Sequence, residues 1–541
     1  MRTFRLKRLV LVGVLAALSL GGCGRKAGPT DEMLKLIPVE ELGQIVGSVA
    51  RVPTPAPMPV QGVGLIAGLP GTGSSHCPVA VREYLKRYVA SQLGGRNLDV
   101  DQLIQSRNTA VVQLDAVISP APSEGQRLDV RASLIPGSDA TSLQGGWLYP
   151  AELKPRGMVG AQGQLAATAE GPVFVNVIDT SSPDPTAGYV LGGGRTAYNY
   201  RAVLKLRRAN FTRANQVRNR LNEVYGPGTA AAPSPTNIAL RIPPKYRWRK
   251  ERFMKMVAVT FLEQTPELTR ARVDTFVRQL AVAEEKATAE LALEAIGRAS
   301  APKLAALLQV SDQEARLRAA RCLLSLGDDR GLIALRQIAL DKNSPYRREA
   351  LDAVAVLARR SDAMTLAQRM LRAADGRLVL AAYEHLRRIQ APAIVQEFVG
   401  RYFYLEQVVQ TDHKAVFVSR SGEPRVVIFG GPLRCRDNLF AESPDGSVVI
   451  DSPAGRDYAT LTRSHPFRPR VIGPVKADLE LRDIVRALGT DPVAAQDGGP
   501  PGLGVCYADV TAMVQQLVAK EAVTAEFWLG PMPKFGPIVK K

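Results

Sequence analysis

Gly68-Leu69-Pro70-Gly71-Thr72-Gly73 is the stretch nearest to a phosphate-binding loop, being glycine-rich and preceded by an apolar run. Such a loop cradles phosphate oxygens with backbone N–H groups and ends in Gly-Lys-Ser/Thr, whose lysine reaches the outer phosphates. Ser74-Ser75-His76 stands there instead, so the glycines read as a backbone turn. Gly192-Gly193-Gly194 reads likewise as a flexible turn. No G-x-S-x-G nucleophile elbow occurs. The four histidines, His76, His385, His413 and His465, have no partners at metal-ligand spacing. Asp115, Asp129 and Asp179 are scattered over β-type segments, and no acid–base pair is legible among them. The expectation is no catalytic residue, no metal site and no cofactor: a protein that is not an enzyme.

Cysteine is the residue type that carries a chemical signal. Arg2, Arg5, Lys7 and Arg8 precede an apolar stretch, Leu9 to Leu20. At about 12 residues that stretch is too short to span a bilayer core of roughly 30 Å as a helix. Leu20-Gly21-Gly22-Cys23 follows and resembles a bacterial lipobox, which makes Cys23 a lipidation site and the mature N-terminus. Gly24 and Arg25 come next, without the aspartate that marks inner-membrane retention, so an outer-membrane anchor is expected. Acyl chains contribute roughly 0.8 kcal/mol per buried methylene, enough for several chains to hold firmly. The body is then expected in the periplasm. Cys77, Cys322, Cys435 and Cys506 would meet an oxidising compartment. Four cysteines allow three pairings; Cys435 and Cys506 share the C-terminal stretch and are the candidate disulfide, while Cys322 reads as a small core residue.

The elements around these residues change character along the chain. With 541 residues, 46% of them hydrophobic and 22% charged, the chain can bury several cores. Its net charge of +19 favours an anionic neighbour. The densest basic run, Lys245 to Arg252, reads as the solvated start of a helix, and no nucleic-acid-binding module accompanies it. After a signal peptide (1–23), residues 24–59 read as a tether and Pro-rich connector. Residues 60–263 read as an α+β domain: strands at 109–118 and 127–134 joined by a turn, a helix at 211–225 stopped by Gly226-Pro227, a strand at 237–242 and a helix at 249–262. Residues 264–400 become rich in Ala, Leu and Arg, and Ile296, Leu326, Val356 and Leu386 recur every 30 residues. That period predicts an α-solenoid of about four two-helix repeats similar to HEAT repeats. Residues 401–530 return to strands and helices, and 531–541 read as a tail.

Gly62, Gly64, Gly68, Gly71 and Gly73 punctuate the β text, which resembles that of the flagellar P-ring protein family. Gln61-Gly62-Val63-Gly64-Leu65-Ile66-Ala67-Gly68-Leu69-Pro70-Gly71-Thr72-Gly73 is similar to the family's opening motif, and further matches keep its order. These are Asn108 to Val112, Gly125-Gln126-Arg127-Leu128-Asp129-Val130, Ser142-Leu143-Gln144-Gly145-Gly146-Trp147-Leu148, and Leu206 to Thr212. The resemblance stops near Phe261-Leu262-Glu263 and resumes at the hairpin 415–431, the helix 481–488 and Ala525-Glu526-Phe527. It implies structural roles for Gly62, Gly64, Gly68, Gly71, Thr72, Gly73, Gly125, Asp129, Gly145 and Gly146. It also implies an α+β multidomain fold in which a P-ring-like module is interrupted by the HEAT-like solenoid. The function implied is that of a structural subunit of a periplasmic basal-body ring. Its partners would be further copies of itself, the rod and L-ring proteins, peptidoglycan and, through the anchor, the outer membrane. Lipidation and a helical insert depart from the family's pattern. The alternative is an envelope-anchored HEAT-repeat adaptor that carries a P-ring-like module for a non-flagellar purpose.

Overall fold

The computed structural model describes residues 29–92, 100–157, 163–178, 183–465, 468–492 and 502–535. Alternating polar and apolar residues make Thr109–Ile118 and Arg127–Leu134 antiparallel neighbours. They belong to a closed barrel with Met58–Ala67, Trp147–Pro155, Ala167–Pro172 and Ala187–Thr196. Closure removes the unpaired edges that an open sheet would expose. Val60, Ile66, Val112, Leu114, Val130 and Leu148 point into its core and are buried.

Gly192-Gly193-Gly194 lies inside the barrel strand Ala187–Thr196, not in the flexible turn expected from the sequence. Glycine suits this strand because neighbouring backbone closes on it: a Cβ on Gly193 would stand 2.3 Å from the Glu170 carbonyl oxygen.

A second α+β unit wraps residues on both sides of the barrel. Ala50–Arg51, Ala202–Leu206, Asn237–Leu240 and Ala230–Ala231 form its sheet. Phe211–Tyr225 is capped by the Asn210 side chain, which accepts from the Arg213 amide. Within the span expected as tether and connector, Ile37, Leu42, Ile45 and Val46 are buried in this unit's core.

Helices follow from Pro266–Val282 to Gly376–Arg388, and from Gln313–Ser325 onward each packs on the next. They are locked at both ends. Val273, Phe276, Leu291 and Leu293 share one core with Phe253 and Val257 of the α+β unit. Val379 and Tyr383 share another with Phe417 and Phe429 of the C-terminal sheet. Arg272 fastens the near end, donating to the carbonyls of Leu42 (2.8 Å) and Glu263 (2.7 Å) and lying over the Phe261 ring.

The C-terminal stretch has two sheets. One contains Val395–Val399, Phe403–Val408, Arg425–Phe429, Ala415–Val418 and Glu526–Leu529; the other contains Leu439–Glu442, Val448–Ser452, Tyr458–His465 and Arg468–Asp478. Leu481–Gly489 and Tyr507–Ala519 are its helices. Phe174, Ile178 and Leu191 from the barrel side enter its core, which closes the circuit.

Candidate functional site

Strand Met58–Ala67 delivers the loop 68–73 to one end of the barrel. There the Gly71 amide donates to Asn108 Oδ1 (3.2 Å) and the Gly73 amide to the Arg107 carbonyl (2.8 Å). Thr72 Oγ1 donates to the Ser142 carbonyl (2.9 Å), and the Thr72 carbonyl accepts from the Thr141 amide (2.8 Å). Three motifs far apart in sequence therefore meet at this end. The loop spends these amides on protein acceptors, so it is a clasp and not a phosphate cradle.

The motif glycines fall into two sets. Gly68, Gly71, Gly125 and Gly145 have positive φ, as tight turns demand. Gly62, Gly64, Gly73 and Gly146 sit against neighbouring atoms; a Cβ on Gly62 would lie 2.2 Å from the Glu152 carbonyl oxygen.

Asp129 is a motif residue whose side chain reaches across the fold. Between Leu128 and Val130 the pairing with Ala187–Thr196 shifts register, and Gly192 there takes φ of 59°. Asp129 Oδ1 accepts from the Gly192 amide (2.7 Å) and from the Gly422 amide (2.9 Å). Burial pushes the Asp129 carboxyl above its usual range, and the two amides pull it back. One carboxylate thus pins a barrel bulge to the hairpin loop between Ala415–Val418 and Arg425–Phe429. The approach is close: a Cβ on Gly192 would stand 3.0 Å from the Gly422 backbone.

The same hairpin loop gathers a third partner. Glu423 pairs with Arg127 of the barrel (3.2 Å) and with Arg387 of the last array helix (2.9 Å). Arg387 also holds the fully buried Glu406, which accepts from the Tyr383 hydroxyl (2.5 Å). Tyr507 OH bonds both hairpin shoulders, the carbonyls of Ser419 and Arg425, each at 2.8 Å. Its ring meets Phe174 at 5.6 Å. Barrel, helical array and C-terminal sheet all converge on residues 419–425. The chemistry is that of a joint: charges and amides are paired off within the protein.

Cys435 and Cys506 are buried free thiols in the same core; the expected bond between them is not formed. Cys506 Sγ instead donates to Asp509 Oδ2 (3.0 Å). Cys322 is buried in a helix core, as its apolar setting implies. Cys23 lies outside the described residues.

Residues 46–276 match the family described as "Flagellar P-ring protein". Over this stretch the chain is similar to the flagellar P-ring proteins. It is 31% identical over 250 residues to the Flagellar P-ring protein of Anaeromyxobacter dehalogenans (strain 2CP-C), covering 43% of this chain and 62% of that protein. It is 29% identical over 246 residues to that of Hydrogenovibrio crunogenus, 42% of this chain and 63% of the relative. With the Caulobacter vibrioides protein it shares 33% over 202 residues, 34% of this chain and 51% of the relative. The chain therefore spans between about half and two-thirds of the curated relatives it matches. The P-ring-like match takes in the barrel and the α+β unit and ends inside the first array helix, Pro266–Val282.

The sequence marks Asp129 as a motif residue and places Gly422 within the hairpin 415–431, but it does not show their contact. Gly192, Glu423, Arg387 and Tyr507 went unremarked as parts of the joint. The triple glycine was the available signal for Gly192, since glycine inside a strand marks a bulge or a close backbone approach.

Proposed function

We propose that this chain is a structural subunit of a flagellar P ring, held in the periplasm at the level of the peptidoglycan and serving as a bushing around the rod. The observation that carries the reading is the P-ring-like match over residues 46–276, folded as a barrel whose motif loops lock to one another. Copies would close into a ring through heterologous contacts. In this reading the C-terminal stretch completes the P-ring-like module through the Asp129–Gly422 joint, and the helices 266–388 are a HEAT-like insert. Cys23 carries an acyl anchor in the outer membrane. Rod, L-ring proteins and peptidoglycan are the neighbours, and the positive charge of the chain suits an anionic one.

Deleting the gene and imaging purified basal bodies tests the reading. Basal bodies with a rod but no ring at the peptidoglycan level are expected, with the ring restored by the intact gene. A complete ring in the deletion strain would refute it.

A further inference from the structure

A cavity of about 860 Å³ opens where the basic run meets the helical array. Arg247, Arg249, Arg252 and Lys255 line one side; Arg318 and Arg321 line the other. The hairpin turn 123–126 of the barrel forms a third wall, and Lys250 closes onto it by donating to the Ala121 carbonyl (2.9 Å) and Ser123 Oγ (2.7 Å).

The floor shows which chemistry the cavity recognises. Glu290 is fully buried, and its carboxylate takes guanidinium donors from Arg252 (2.8 Å), Arg318 (2.8 Å) and Arg321. Glu294 takes Arg252 (2.6 Å) and Arg249 (3.4 Å). Arg318 also pairs with Glu314 (2.8 Å), so three carboxylates face these four arginines and the floor keeps a positive excess. Arg247 and Lys255 add charge without a carboxylate partner among the ion pairs of the described residues. Arg249 Nε is buried and has no hydrogen-bond partner. Trp248, 65% exposed, stands at the edge with the Arg247 guanidinium over its ring.

We infer that this cavity is a docking site for an acidic peptide segment, its carboxylates taken by the arginines and an apolar side chain by Trp248. Planar guanidinium forks match carboxylates in pairs, as the floor already does with Glu290. The volume suits a ligand of several residues rather than a single small ion. The exposed indole offers an apolar face that a phosphate polymer would leave unused. The proposal does not rest on the ring reading: two walls, 247–255 and 123–126, lie inside the matched residues 46–276, and the third, with Arg318 and Arg321, lies beyond them.

The test uses the full chain, a Glu-rich peptide containing one leucine, and polyphosphate of equal charge, with binding followed by calorimetry at fixed salt. The variants are the double charge reversal Arg247→Glu/Lys255→Glu and the single change Trp248→Ala, none of which touches the Glu290 floor. Binding of the peptide, weakened at least about tenfold by the double reversal and measurably by Trp248→Ala with unchanged circular dichroism, is the expected result. No binding by the native chain, or equal binding by the double variant, would overturn the proposal. Tighter binding of polyphosphate than of the peptide would overturn the choice of ligand.

Discussion

Asp129 and Asp509 are both carboxyls at contacts between the barrel side and the C-terminal stretch, and burial sets how they titrate. Asp509 accepts from Gln144 Nε2 and from Cys506 Sγ, and burial pushes its pKa up to about 6. A raised pKa means that the folded chain holds this proton more tightly than the unfolded chain does. The stability it adds is complete below the ordinary aspartate range and is lost as pH rises through about 6. The stability difference between the native chain and Asp509→Asn is therefore expected to shift in favour of the native chain as pH falls from about 7 to about 4. Urea melts across that range check this, and a difference independent of pH would contradict it. Glu290 runs the opposite way. Burial would raise it, but Arg252, Arg321 and Arg318 outweigh burial and hold it at about 2. Its contribution is present above the usual glutamate range and is lost as pH falls toward 2.

Elements obey two kinds of instruction, local and distant. Strands 109–118 and 127–134 and the helix 211–225 stand where periodicity and punctuation place them, because both signals are local. The helix expected at 249–262 is shorter, Lys250–Val259, and the strand expected at 237–242 ends at Leu240. Barrel closure was not legible. The pairing of Trp147–Pro155 with its neighbours is broken by register shifts, which spoil the two-residue alternation. The joint was not legible either, since Asp129 and Gly422 are 293 residues apart. Gly62 tests the barrel at this scale. Gly62→Val drives a side chain into the Glu152 carbonyl and should separate Met58–Ala67 from Trp147–Pro155. A loss of at least ~3 kcal/mol in a urea melt is expected; a loss below ~1 kcal/mol would mean the strands are not so closely apposed.

At the scale of the molecule, contacts run in a circuit: barrel to α+β unit, unit to helical array, array to C-terminal sheet, and that sheet back to the barrel. The array is therefore anchored at both ends by shared cores. Removing residues 283–392 should uncover Phe253, Val257, Phe417 and Phe429 together and yield an aggregating, non-cooperative product. A soluble chain with a sharp thermal transition would contradict shared cores. The circuit itself depends on the joint at Asp129. Amide hydrogen exchange of Gly192 and Gly422, followed in the full chain and in Asp129→Ala, tests it most directly. The account predicts protection of both amides in the native chain and faster exchange at both in the variant, by about tenfold or more. Gly422 exchanging at the rate of a free loop, unchanged by the substitution, would contradict it.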